Sequence, residues 1–149
     1  MAALAKLNTG ERTLGGGAIV LLASLWLPWF GTAEEESPFI PPARKVTINA
    51  WESFDLSDLF LCLLGLAALT VLVAALRGVD IPRPGAPLVL LGTSLVAAGI
   101  ILARIEDPLQ NTSTRIGLWI GLLAVIAIAV GAWLSLDAAR APGPAAAGD

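Results

Sequence analysis

The chain contains no histidine, one cysteine (Cys62) and one methionine (Met1) among its 149 residues. Without histidine there is no imidazole metal ligand, no imidazole general base and no histidine ligand for haem. A single cysteine excludes a disulfide within the chain, a CxxC redox pair and a cysteine-held cluster. The sequence therefore predicts neither a metal nor a cofactor.

Charge is also scarce. Only 14% of the residues are charged, the net charge is −3, and the lysines and arginines form no basic block. Ordinary soluble domains carry about 25% charged residues. Because nucleic-acid binding depends on clustered basic side chains, we expect no nucleic-acid partner.

Apolar residues are abundant, at 56% of the chain with a mean hydropathy of +0.80. Uncharged apolar runs of 18 to 21 residues occupy 13–30, 59–76, 86–103 and 116–136. A helix of 18 residues is about 27 Å long, close to the ~30 Å hydrocarbon core of a bilayer, and lipid tolerates no exposed backbone polar groups. The sequence thus predicts an all-α, four-transmembrane-helix bundle in one domain over 1–140, with the lipid bilayer as its surroundings.

We place the four spans at about 13–30, 56–76, 86–103 and 116–136. The extracytoplasmic loop after the first span is the longest, and its prolines favour extended chain. Alternation from Lys45 to Ile48 indicates a short strand. Asn49 and Glu52 match a capping box, so a helix is expected to begin near Ala50. We expect the low-complexity tail 141–149 to be disordered.

The count of lysine and arginine favours cytoplasmic amino and carboxyl termini in a plasma (inner) membrane. That orientation puts five basic residues inside and four outside, with the long loop outside. The first run also resembles a signal peptide ending near Gly31, but bulky Trp29 and Phe30 just before that point argue against cleavage.

Three charged residues lie at the same membrane depth on the outer side. Asp58 directly precedes an apolar run, and Arg104 and Arg115 bracket the third connection. We predict that Asp58 pairs with Arg104 or Arg115 and ties the second helix to the third or fourth. Enzymatic activity is not expected, because no nucleophile or metal-ligand set accompanies the acidic residues near this surface.

Small residues form a stripe on the fourth span. Gly117 and Gly121 make a small-xxx-small element that allows close helix contact. The stripe continues through Ala124 and Gly131. It indicates either packing within the chain or an interface in a homo-oligomer or a larger membrane complex.

Aromatic residues concentrate at the outer surface in the four-span topology. They include Trp26, Trp29, Trp51, Phe54 and Trp119. We interpret them as an interfacial belt that also packs under the outer loop as a cap. The alternatives are contacts with a partner, or a site for a lipidic ligand such as a lipid, quinone or pigment.

Several segments resemble small, uncharacterised four-span membrane proteins of high-GC bacteria. These are Trp26-Leu27-Pro28-Trp29-Phe30, Asn49-Ala50-Trp51-Glu52-Ser53-Phe54, Arg104-Ile105-Glu106-Asp107-Pro108 and Arg115-Ile116-Gly117. The resemblance covers nearly the whole chain and implies topology without an activity.

In outline the layout is also similar to that of claudin-like proteins. The first loop of that family carries a Gly-Leu-Trp sequence and a cysteine pair. Here, however, Gly117-Leu118-Trp119 lies in the fourth span, and the first loop has no cysteine pair. A junction-forming role is therefore not carried over. The function expected is that of a non-catalytic structural or accessory subunit, and the alternative is a binder or carrier of a lipidic ligand.

Overall fold

A computed structural model describes residues 7–32, 47–53, 56–79, 85–106 and 112–140, and these are mostly helical. The elements in chain order are α1 (Thr9–Ser24), β1 (Pro28–Thr32), β2 (Thr47–Asn49), α2 (Ala50–Ser53), α3 (Leu56–Leu76), α4 (Gly85–Glu106), β3 (Thr112–Thr114) and α5 (Ile116–Arg140). Residues 33–46 of the predicted outer loop, Phe54 and the tail 141–149 lie outside the described residues.

Helices α3, α4 and α5 are long and apolar enough to cross a membrane, at 21, 22 and 25 residues. Only 22%, 28% and 44% of their most apolar windows are buried within the chain. Large side chains such as Leu63, Leu95 and Leu123 are more than half exposed. Such an apolar exterior belongs in lipid, so the chain has the helices of a membrane protein.

Helix α1 is shorter, with 16 residues, and its ends differ from the prediction. It begins at Thr9 because Asn8 and Glu11 form a capping box, with hydrogen bonds of 2.7 and 3.0 Å between each side chain and the other's backbone N–H. The predicted helix over 13–30 is wrong beyond Ser24. Pro28 disfavours helical geometry in the residue before it, and the chain turns and continues as a strand.

A small three-stranded antiparallel sheet accompanies the predicted helices. Its order is β2-β1-β3, so β1 is central and pairs with strands from two different connections. Phe30 lies opposite Ile48 on one side and Thr114 on the other. The short strand expected around residues 45–48 is found at Thr47–Asn49. Strands β1 and β3 have no counterpart among the predicted elements.

The capping box at the start of α2 is confirmed. The backbone N–H of Glu52 donates to Asn49 Oδ1 at 3.0 Å, and the N–H of Asn49 donates to Glu52 Oε2 at 3.1 Å. These bonds satisfy two backbone donors at the helix start and join β2 directly to α2.

The four long helices form a bundle in which α5 packs on α1 and α4, and α3 packs on α1 and, less extensively, α4. Contact between α1 and α5 is close enough to involve backbone atoms. A Cβ atom added to Gly17 would lie 2.9 Å from the carbonyl oxygen of Ala124, and one on Gly131 would lie 2.7 Å from that of Gly10. Small residues therefore set the spacing of these two helices.

Hydroxyl groups within the helices donate to their own backbone. Ser24 donates to the Leu21 carbonyl at 2.7 Å, and Ser94 donates to the Leu90 carbonyl at 2.6 Å. Both serines are fully buried. Their hydrogen-bonding requirement is thus met without a partner on another helix.

Candidate functional site

The three-stranded sheet lies at one end of the bundle, and there β1 meets the ends of all four long helices. Trp29 and Phe30 in β1 are each only 3% exposed, because their side chains enter the bundle below the sheet. Around them lie the end of α1, the start of α3, the end of α4 and the start of α5. This end also holds the charged residues that the sequence singled out.

Trp29 joins α1 to α5. Its indole Nε1 donates to the carbonyl oxygen of Ser24 at 2.7 Å. On the other side, a Cβ on Gly117 would lie 2.7 Å from Trp29 Cδ1, and one on Gly121 would lie 3.0 Å from Cζ2. The indole is therefore held by a hydrogen bond at one end of α1 and fits against a glycine surface of α5.

Arg115 joins β1 to the start of α5. Its backbone N–H donates to the carbonyl oxygen of Trp29 at 2.9 Å. Its guanidinium lies over Gly31, where a Cβ would fall 2.5 Å from Arg115 Nε. Gly31 thus leaves room for the arginine beside the central strand.

Asp58 and Arg104 line one small cavity under β1, together with Trp29, Phe30 and Ser57. Asp58 is only 8% exposed, and Arg104 Nη2 donates to Ser57 Oγ at 3.2 Å. The cavity measures about 10 Å³, which is close to the space one water molecule needs. The described geometry brings the predicted partners Asp58 and Arg104 together, and their ion pair stays a prediction.

The predicted small-residue stripe faces the interior of this chain. Gly117 and Gly121 adjoin Trp29, while Ala124 and Gly131 adjoin α1. All four are buried. The stripe is consequently occupied by α1 and β1, and a homo-oligomer would use another face of the molecule.

The predicted aromatic cluster is divided among three environments. Trp29 lies in the interior, whereas Trp26 is 72% exposed and its ring centroid lies 6.0 Å from that of Trp51 at a tilt of 50°. Trp119 is 48% exposed on α5. Of the five aromatics predicted as an outer cap or as ligand contacts, Trp26 and Trp51 are the pair whose rings are close to each other within the described residues, and Phe54 lies outside those residues.

Sequence reasoning missed two polar residues of this end. Ser57 accepts the hydrogen bond from Arg104, and the carbonyl of Ser24 accepts the one from Trp29. Ser57 could have been found from its position beside Asp58 at the predicted depth of Arg104. The Ser24 contact depends on the turn between α1 and β1 and on the packing of Trp29 in the bundle, and this tertiary packing leaves no local pattern.

The chemistry available here is that of charge-assisted and neutral hydrogen bonds between elements. Within residues 7–32, 47–53, 56–79, 85–106 and 112–140, no group of three or more aspartate, glutamate or cysteine side chains could hold a metal ion. The hydrogen bonds of Trp29 and Arg115 attach the sheet to the helices.

In comparisons with known proteins, no family model, no curated protein and no solved structure matches this chain.

Proposed function

We propose that the protein is a non-catalytic, multi-pass integral membrane protein that acts as a structural or accessory subunit through helix–helix and outer-loop contacts. The observation that carries this proposal is the attachment of β1 to all four long helices. Trp29 contacts α1 and α5, and the cavity under β1 is walled by residues of α3 and α4. A sheet held in this way gives a rigid surface at the end of a lipid-facing bundle, which suits a protein that works by contact.

Four membrane spans are part of this proposal. Support comes from the path of α1 and β1 along α5, with Gly10 against Ser135 at one end and Pro28 against Gly117 at the other. Ser135 follows Gly117 by 18 positions, which corresponds to about 27 Å of helix, close to the ~30 Å hydrocarbon thickness. Because α5 is long enough to cross a membrane, a segment packed along this length of it would cross as well.

We further propose that the sheet faces outward from a bacterial plasma (inner) membrane and that both termini are cytoplasmic. The support is the distribution of lysine and arginine, five inside against four outside, together with the long loop after the first span. The alanine- and glycine-rich, lysine-poor composition favours a high-GC bacterial source.

Site-specific photocrosslinking in native membranes tests the contact role. A photoreactive residue at exposed Thr47 reports on partners of the sheet, and one at exposed Val89 reports on partners of the lipid-facing side of α4. We expect at least one position to give a crosslinked protein of defined mass, whether a second copy or another subunit. A strict monomer at both positions, with no co-purifying protein, would count against the proposal.

A binder of a lipidic ligand at the outer aromatic residues is the second candidate. Trp26 favours it, because its side chain is 72% exposed and its ring lies 6.0 Å from that of half-buried Trp51, whereas Trp29 is engaged with Ser24 and α5. Lipid extraction from the purified protein decides between the two candidates: one enriched species supports the ligand role, and bulk membrane composition removes it.

A further inference from the structure

Helix α4 carries a line of glycines on its outward face. Gly85, Gly92 and Gly99 follow one another at intervals of seven residues, which brings them to one side of the helix. All three are exposed, and a Cβ atom added to any of them would meet nothing within 4 Å among the described atoms. The described part of the chain therefore leaves this glycine line open.

The same spacing marks the closest helix contact within the chain. Gly10 and Gly17 of α1 are seven residues apart, and so are Ala124 and Gly131 of α5. A Cβ atom added to Gly17 would lie 2.9 Å from the carbonyl oxygen of Ala124, and one added to Gly10 would lie 2.8 Å from that of Gly131. In both series the small residues admit the backbone of another helix, whereas the series on α4 has no helix against it in the described structure.

Two ridges of larger side chains border the glycine line. A residue three positions after a glycine lies about 60° to one side of it, and a residue four positions after lies about 40° to the other side. The first ridge consists of Leu88, Leu95 and Leu102, which are 57%, 63% and 48% exposed. The second ridge consists of Val89, Val96 and Ala103, which are exposed as well. No charged residue lies between Gly85 and Ala103, so the whole face is apolar.

A groove between α3 and α4 adjoins the valine and alanine ridge. Its walls include Val96 and Ala103 of that ridge and Leu56 and Phe60 of α3, and its volume is about 630 Å³. Leu56 is 79% exposed, so the groove is open to the surroundings of the bundle. The groove provides space for apolar side chains of a partner that packs on α4.

The outward face of α4 is complementary to itself. A two-fold axis parallel to α4 places equal residues of two copies at equal depth, and it sets the leucine ridge of each copy against the valine and alanine ridge of the other. Leu95 and Leu102 precede Val96 and Ala103 by one residue each, or about 1.5 Å along the helix. The leucines of one copy therefore lie at the depth of the groove of the other. The two glycine lines meet at the centre, where backbones can approach closely.

We propose that this face binds a second copy of the chain, in the same membrane orientation, to form a two-fold dimer. The glycine lines of the two α4 helices contact each other, and the leucine ridge of each copy packs against the second ridge and the groove of the other. An uncharged face of this kind suits a contact within the hydrocarbon, where close packing stabilises helix association. The inference rests on the proposed contact role and names its partner.

Energy transfer between donor- and acceptor-labelled copies, in vesicles of phosphatidylethanolamine and phosphatidylglycerol, tests the dimer. The labels are attached to the full-length protein with the substitutions Cys62→Ala and Asp137→Cys. Gly92→Leu fills the glycine line, and Gly16→Leu on α1 is the matched control, because both glycines are exposed with nothing within 4 Å of an added Cβ among the described atoms. We expect Gly92→Leu to raise the dissociation constant of the dimer at least about tenfold and Gly16→Leu to change it less than about twofold.

Leu95→Ala tests the leucine ridge. Its control is Leu123→Ala on α5, since the two leucines are similarly exposed, at 63% and 66%. We expect Leu95→Ala to raise the dissociation constant at least about threefold and Leu123→Ala to leave it unchanged. Should Gly92→Leu fail to fold, this second pair of variants decides the question.

A protein that stays monomeric at every ratio of protein to lipid would overturn the inference. Equal weakening of the dimer by Gly92→Leu and Gly16→Leu, or by the two alanine variants, would do the same. A photocrosslink from Val89 to a different protein would also overturn it, because that protein would then occupy the face. If the pure protein is monomeric and Thr47 in the sheet still crosslinks to another protein, the dimer is excluded and the contact role stands.

Discussion

The indole Nε1 of Trp29 donates a 2.7 Å hydrogen bond to the carbonyl oxygen of Ser24, at the last residue of α1. That carbonyl also accepts from the backbone N–H of Leu27 at 3.0 Å. The last carbonyls of a helix have no partner within the helix. A side chain from the following strand therefore satisfies the end of α1 and fixes the direction in which the chain enters the sheet.

Replacing Trp29 with phenylalanine should lower the stability of the bundle. Trp29→Phe keeps an aromatic ring against α5 but removes the donor to Ser24 and part of the buried ring, so we expect a loss of about 1–3 kcal/mol. Thermal unfolding in detergent, followed by circular dichroism, measures it. Trp26→Phe is the control, since Trp26 is 72% exposed, and its effect should stay within about 0.5 kcal/mol. Equal effects of the two substitutions would show that the Trp29 contacts do not stabilise the fold.

Two adjacent glycines of α1 should respond oppositely to alanine. A Cβ on Gly17 would lie 2.9 Å from the backbone of α5, so Gly17→Ala forces the helices apart and should cost about 1–3 kcal/mol. Gly16 has nothing within 4 Å of the added carbon among the described atoms. There alanine should be neutral or stabilise by up to about 1 kcal/mol, because it is the better helix former. Melting temperatures in the same detergent compare them, and a stabilised Gly17→Ala variant would contradict the close α1–α5 contact.

Asp58 and Arg104 should be energetically coupled. Asp58→Ala is expected to lower the melting temperature in detergent, because Asp58 is 8% exposed in a cavity that Arg104 also lines. In a double-mutant cycle of Asp58→Asn and Arg104→Gln, we expect a coupling free energy of at least about 0.5 kcal/mol. Asp137→Asn, on an exposed acid of α5, is the control. Additive effects, or an unchanged melt of Asp58→Ala, would rule out the predicted pair.

The long helices were predictable because their apolar runs are a property of local sequence. The predicted span 56–76 coincides with α3 (Leu56–Leu76), and 116–136 lies within α5 (Ile116–Arg140). The end of the first apolar run was wrongly predicted to be helical. Trp29 and Phe30 are apolar, and apolar residues suit a buried strand as well as a membrane helix. Pro28 carried the signal for the change, and only the pairing of β1 with two other strands makes the extended form stable.

The candidate site was predicted only in part, because it depends on which elements meet. Asp58 and Arg104 each adjoin the end of an apolar run on the same predicted side of the membrane. This position was enough to predict that they lie at one end of the bundle. The glycine stripe indicated close packing of α5, but its partner could have been another helix or another chain. The structure identifies α1 as that partner through contacts such as Gly17 with Ala124, which arise from tertiary packing and leave no local pattern.

Cysteine accessibility in intact cells or sealed vesicles tests the four-span arrangement most directly. In a Cys62→Ala background, single cysteines replace Thr9 at the start of α1, Thr47 in β2 and Asp137 near the end of α5, all of which are exposed. A membrane-impermeant thiol reagent added from outside should label the cysteine at position 47 and leave those at 9 and 137 protected until the membrane is opened. Labelling of positions 9 and 137 from opposite sides would show that α1 does not cross the membrane, and would contradict the account.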